Sequence, residues 1–149
     1  MKSETIKRML DACYLAKRIR ELLPELPEGV KPAYIQYMDV IHQVQREKEE
    51  VKVSDISNRL KLPRPGVTRT VKEMVEKGYL TKRASEEDGR ITYVSITEKG
   101  ETLSEKYDKN YYSRLSKYLT NITEEEADGM IRTIEKFYEV MQRGDVTIE

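Results

Sequence analysis

Between Val53 and Gly100 the spacing of apolar positions is helical, then helical again, then strand-like. Ile56 and Leu60 lie four apart and share one face of a helix over Ser54 to Leu60. Lys61, Leu62 and Pro63 cannot prolong it, because proline lacks an N–H donor and drives the residue before it out of the helical region. The helical spacing resumes with Pro65, which is tolerated in a first turn. Val67, Val71, Met74 and Val75 make the apolar stripe, and Gly78 supplies a left-handed stop after Lys77. Tyr79 to Arg83 and the alternating run Ile91 to Ile96 then predict a hairpin whose polar tip is Ala84 to Arg90. Asp88-Gly89 in that tip favours positive φ. Helix, turn, helix and charged hairpin, in this order, predict a winged helix-turn-helix that binds double-stranded DNA.

The flanks are helical. Ile6, Met9, Leu10 and Cys13 form a stripe running towards Leu22 and Leu23, and Pro24, Pro27 and Gly29 then break the chain. A second helix starts near Pro32 with Tyr34, Met38 and Ile41 on one face. Beyond the hairpin, Thr97 can cap a long helix bearing Leu103, Tyr107, Tyr111, Leu115 and Tyr118. Thr123 and Glu126 form a capping box for a last helix with Met130, Ile131, Ile134, Phe137, Tyr138 and Met141 on its apolar face. The fold class is therefore mainly α with a small β-wing. Residues 32–100 form the DNA-binding lobe of a single unit over 1–149, and 1–31 and 101–149 supply dimerisation helices. Their apolar faces exceed what one small domain covers by itself, and a symmetric homodimer is the simplest partner. Such a dimer presents two recognition helices to a pseudo-palindromic operator with half-sites about one DNA turn apart.

On the second helix of the lobe, a rotation of about 100° per residue puts Arg69 opposite the apolar stripe. Its N-terminal part is the portion that enters a major groove, so Arg64, Gly66, Thr68, Arg69 and Lys72 are expected near bases and phosphates. A basic helix face on its own is usually just solvated. Charge placement changes that. Arg59, Lys61, Arg64, Arg69, Lys72, Lys77, Lys82 and Arg83 face only Glu73 and Glu76 in the same stretch, within a chain whose formal net charge is zero. A concentrated basic patch can neutralise phosphates even in a neutral protein, and the acidic clusters Glu47 to Glu50 and Glu124 to Asp128 keep other faces off DNA. In the hairpin, Arg90 is suited to a narrow minor groove, and Asp88 can hold it in an extended pose.

Arg83, Asp88-Gly89-Arg90 and Thr97-Glu98-Lys99-Gly100, after a helix ending Glu76-Lys77-Gly78-Tyr79-Leu80, resemble the MarR (multiple antibiotic resistance regulator) family over nearly the whole chain. The resemblance implies a dimeric transcription factor whose wing arginine, Arg90, enters the minor groove, with Lys82, Arg83 and Asp88 beside it. It implies a recognition helix starting at Arg64, although Pro65-Gly66 departs from the polar residues many members have there. It further implies a small aromatic or phenolic effector bound between the dimer helices and the lobe, for which Tyr34, Tyr37 and Tyr111 are candidates. Cys13 lies in the first helix, as does the peroxide-sensing cysteine of one branch of that family, with Tyr34 and Tyr37 on the following helix as partner phenols. The competing reading makes Cys13 a small apolar residue of its stripe.

Composition removes other classes. There is no stretch of about 20 apolar residues and no secretory core, so a cytoplasmic protein that does not span a membrane is expected. One cysteine excludes an internal disulfide and a cysteine-based zinc site, and no cofactor is expected. His42 is the only histidine and no glycine-rich phosphate loop is present, which disfavours an enzyme; His42 reads as an ordinary helix residue and the run Arg46 to Glu50 as a solvated helix end or loop. The 10 tyrosines read mostly as core and interface residues. The expectation is a homodimeric repressor that occludes its operator. The alternatives are a thiol-based sensor using Cys13 and a winged-helix module whose basic face meets protein or RNA.

Overall fold

The computed structural model describes residues 1–148. Its elements are α1 (Ser3–Glu21), α2 (Pro32–Gln45), β1 (Val51–Lys52), α3 (Val53–Leu60), α4 (Arg64–Glu76), β2 (Leu80–Ala84), β3 (Thr92–Ile96) and α5 (Glu98–Glu105). A π-helical segment (Lys106–Tyr112), a short α6 (Ser113–Leu115), a 3₁₀ turn (Ser116–Tyr118) and α7 (Glu124–Arg143) complete them. The three strands form one antiparallel sheet in the order β1-β3-β2, with Lys52 opposite Tyr93 and Lys82 opposite Val94. The architecture is thus mainly helical with a small wing, as the sequence pattern predicts. Among the described residues no helix is long and apolar enough to cross a membrane.

The core forms where the lobe's apolar stripes converge. Tyr34, Met38, Ile41 and Val44 of α2 pack with Ile56 of α3, with Val67, Val71 and Met74 of α4, and with Leu80 and Val94 of the wing. Leu103 and Tyr107 join the same cluster, so the lobe's core continues past residue 100 instead of ending at the wing. Lys61 adopts the left-handed conformation that ends α3 (φ 52°), and Gly78 does so after α4 (φ 82°). Gly89 does not, contrary to the expectation for Asp-Gly. The tip closes through Ile91 N–H donating to Asp88 O at 2.9 Å, while the Asp88 carboxylate accepts the Arg90 N–H at 3.0 Å, a turn compatible with ordinary negative φ.

Two further expectations change. The run Arg46 to Glu50 is not merely solvated: Glu47 pairs with Arg59, Lys48 with Asp55 at 2.7 Å, and Glu50 with Arg83, which ties the α2–β1 turn to α3 and the wing. The long helix after Thr97 is not uniformly α. It begins as expected, with the Thr97 hydroxyl accepting from Gly100 N–H at 3.1 Å, but widens into the π-helical turn at Lys106. The Thr123–Glu126 capping box of α7 is present in both directions. Neither α1 nor α7 has a buried residue among those described, and their stripes, including Leu10, Ile19, Ile131 and Ile134, are exposed.

Candidate nucleic-acid interface

The turn after α3 sets up the site. Pro63 is held extended (φ −61°, ψ 135°), so α4 begins abruptly at Arg64 with its N-terminus clear of α3. β3 then returns antiparallel to both other strands, and this brings the wing's inner side opposite the start of α4. Between them lies a cleft of about 380 Å³. Arg64 and Thr68 of α4, Lys82, Asp88 and Arg90 of the wing, and Lys52 at the end of β1 all line it. Four cations therefore converge on one concave surface with a single carboxylate among them. A helix N-terminus flanked by cations is the arrangement that receives a phosphate backbone.

The carboxylate has a defined role. Arg90 donates to it through Nε and a terminal nitrogen, both at 3.1 Å, in addition to the backbone bond. The bidentate contact holds the Asp88 carboxyl below the usual carboxylate range and raises the Arg90 guanidinium above its ordinary value. The Arg90 side chain is nonetheless 91% exposed, so Asp88 fixes the base of the arm and leaves the donor fork in solvent.

The other expected residues divide. Arg69 and Lys72 are exposed on the flank of α4, outside the cleft. Arg83 follows Lys82 along β2 and so points to the opposite side of the wing; it pairs with Glu50 and its guanidinium carbon stands 4.5 Å from the Tyr93 ring centre. Arg83 therefore braces the wing against the α2–β1 turn and is not part of the convergent set. The sequence pattern does not single out Lys52, since nothing in a two-residue strand announces its pairing with Tyr93. Gly66 is half-buried on the first turn of α4, and a methyl there would meet none of the described residues' atoms within 4 Å. Gly66→Ala is expected to stabilise the fold by about 0.5–1 kcal/mol through helix propensity. If DNA approaches the backbone closely at Gly66, its affinity falls in the same variant; thermal unfolding and a duplex titration separate the two effects.

Tyr34 and Tyr37 are buried in the lobe core, where burial first, and then the Glu73 carboxylate, push the Tyr34 phenol up. Neither borders the tyrosine-lined cavity of this chain. Tyr111 does: with Tyr107, Tyr112, Leu23, Leu26 and Ile35 it borders a space of about 720 Å³ between the end of α1, α2 and the π-helical segment. Cys13 is exposed on α1, so within one chain it is not grouped with the buried Tyr34 and Tyr37 that the peroxide-sensing reading requires.

Residues 28–91 match the model of the MarR family. An uncharacterized HTH-type transcriptional regulator of Bacillus subtilis (strain 168), YdgJ, is 26% identical over 98 residues, which cover 66% of this chain and 57% of that protein. The chain thus aligns over little more than half of that relative's length. Among solved structures, Streptococcus pneumoniae FabT in complex with DNA is similar with a TM-score of 0.64 at 20% identity, covering 95% of this chain and 99% of FabT. A mutant of E. coli MarR complexed with operator DNA is similar with a TM-score of 0.56 at 19% identity, covering 73% of this chain and 76% of that one. At these identities the likeness establishes the fold.

Proposed function

We propose that the chain is a DNA-binding winged helix-turn-helix transcriptional regulator of the MarR family, which residues 28–91 match, and that it acts as a homodimeric repressor of a pseudo-palindromic operator. The observation that carries the DNA-binding face is the cleft in which Lys52, Arg64, Lys82 and Arg90 converge on the start of α4. FabT and the MarR mutant, which have the same fold, are bound to DNA in their structures, and this supports the same use of the fold here. Exposed Leu10 and Ile19 on α1 and Ile131 and Ile134 on α7 support a second copy as the cover for both helices. The tyrosine-bordered cavity beside the end of α1 supports release by a small aromatic or phenolic effector, with Tyr111 rather than Tyr34 or Tyr37 against it. A regulator of this kind works in the cytoplasm, beside the DNA it reads.

The reading is tested by selecting bound sequences from a random duplex pool at near-physiological salt. An enriched inverted repeat with half-sites about one helical turn apart supports it. A pool that stays random overturns it and favours a module that meets protein or RNA. The dimer has its own test: in the double variant Ile131→Glu with Ile134→Glu, light scattering is expected to report a monomer. Operator affinity should then fall by at least about 100-fold, because the two half-sites no longer act together. A variant that stays dimeric would move the interface elsewhere.

A further inference from the structure

We propose that Asp39, His42 and Asp108 form a binding site for a divalent transition-metal ion of the zinc class, at the junction of α2 and the π-helical segment. One donor atom from each of the three lies within 4.8 Å of the other two. Asp39 and His42 are three residues apart on α2 and so project from one face. Asp108 reaches them from the π-helical segment, a helical distortion that recurs at functional sites.

The surroundings complete the donor set. His42 Nε2 lies 2.8 Å from Glu101 Oε2. That carboxylate fixes the tautomer with the proton on Nε2 and leaves Nδ1 as the basic nitrogen, the outer partner that metal-bound imidazoles commonly have. Among the described residues neither Asp39 nor Asp108 forms an ion pair with a lysine or arginine, although Arg46 borders the same open cleft. Asp39 and Asp108 thus stand close together with no lysine or arginine paired to either among the described residues, and a divalent ion would supply the compensating charge.

The donor chemistry narrows the ion. One imidazole and two carboxylates are too few oxygens for calcium, and an imidazole is a poor magnesium ligand, whereas zinc accepts this mixture with three protein donors and a solvent molecule. Zinc bonds of about 2.0–2.2 Å put ligand atoms about 3.4 Å apart, so the three groups must close slightly, and Asp108, the exposed member, is the one free to move. An ion there would fasten α2 of the lobe to the segment leading out of it.

The test uses the full chain freed of metal with a chelator and titrated with Zn²⁺ by calorimetry, with a chromophoric chelator in competition. One ion per chain is expected at micromolar affinity or tighter, with no comparable binding of Mg²⁺ and a rise in melting temperature on adding Zn²⁺. His42→Ala and Asp108→Asn should each weaken Zn²⁺ by at least about 100-fold, and Glu101→Gln, which touches no metal, by about 10- to 100-fold. All three change partly or fully exposed side chains, and circular dichroism checks that their helices are intact. Absence of Zn²⁺ binding overturns the proposal. So does binding that His42→Ala leaves unchanged, since the ion would then sit on other donors such as Cys13.

Discussion

Alanine in place of Arg64 or Arg90 is expected to cut affinity for the selected operator by about 10- to 100-fold in each case, the effect of about 1–3 kcal/mol carried by an arginine that reads a groove. Lys52→Ala and Lys82→Ala should behave differently. They remove cations from the same cleft, so binding weakens for specific and random duplex alike and the logarithmic salt slope drops by about one ion each. Arg83→Ala is the control, because that side chain is occupied by Glu50 and Tyr93 on the other side of the wing. The sharpest member of the set is Asp88→Asn. Counted as charge alone, removing an acid from a DNA-facing cleft strengthens binding. The bidentate hold on Arg90 predicts the reverse: the freed arm must be ordered on binding, and affinity falls severalfold. Filter binding or anisotropy at two salt concentrations decides between them, and tighter binding by Asp88→Asn would remove the positioning role.

Gly100→Ala is expected to destabilise the fold by about 3 kcal/mol, the upper part of the range for overpacking a filled site. A methyl group there would lie 2.6 Å from Ile96 Cγ2 and closer still to the Tyr79 carbonyl oxygen. The carbonyl cannot step aside cheaply, because it accepts the Thr97 N–H at 3.0 Å in the turn that joins wing and α5. The Thr97 cap on Gly100 N–H would be strained by the same displacement. At this chain length the loss corresponds to a melting temperature lower by about 10 °C. Gly89→Ala serves as the comparison, since a methyl there meets no described atom within 4 Å and φ is not left-handed. Equal melting temperatures for the two variants would mean that α5 does not seat on the wing turn as described.

Much of the fold is legible in the sequence because local chemistry and global fold agree there. Pro63 and Gly78 bound α4, Thr123 and Glu126 open α7, and the alternation through Thr92 to Ile96 declares a strand, each from residues adjacent in the chain. Arg64, Thr68 and Arg90 can be placed because the order of elements fixes which way α4 and the wing tip face. What is not legible depends on partners distant in sequence. Lys52 enters the cleft only because Val51 and Lys52 pair with β3, about forty residues on. Arg83 and Lys82 are equivalent in composition, and the pleat together with Glu50 separates them. Tyr34 and Tyr37 differ from Tyr111 in burial against elements that the helical period alone does not identify. The Asp88-Gly89 turn misleads for a local reason: the aspartate side chain closes the turn itself and leaves glycine's freedom unused.

The widened turn at Lys106–Tyr112 sets the rotational phase of everything that follows it. A helix advances by about 100° per residue, so an interval that packs more residues per turn resets the azimuth of the chain beyond without changing a single side chain. Shortening that interval by one residue would leave the wing, its cleft and the composition of α7 intact while turning the downstream path by roughly a quarter of a circle. Insertions and deletions there act on the bearing between the winged lobe and its terminal helix, and leave each of the two intact.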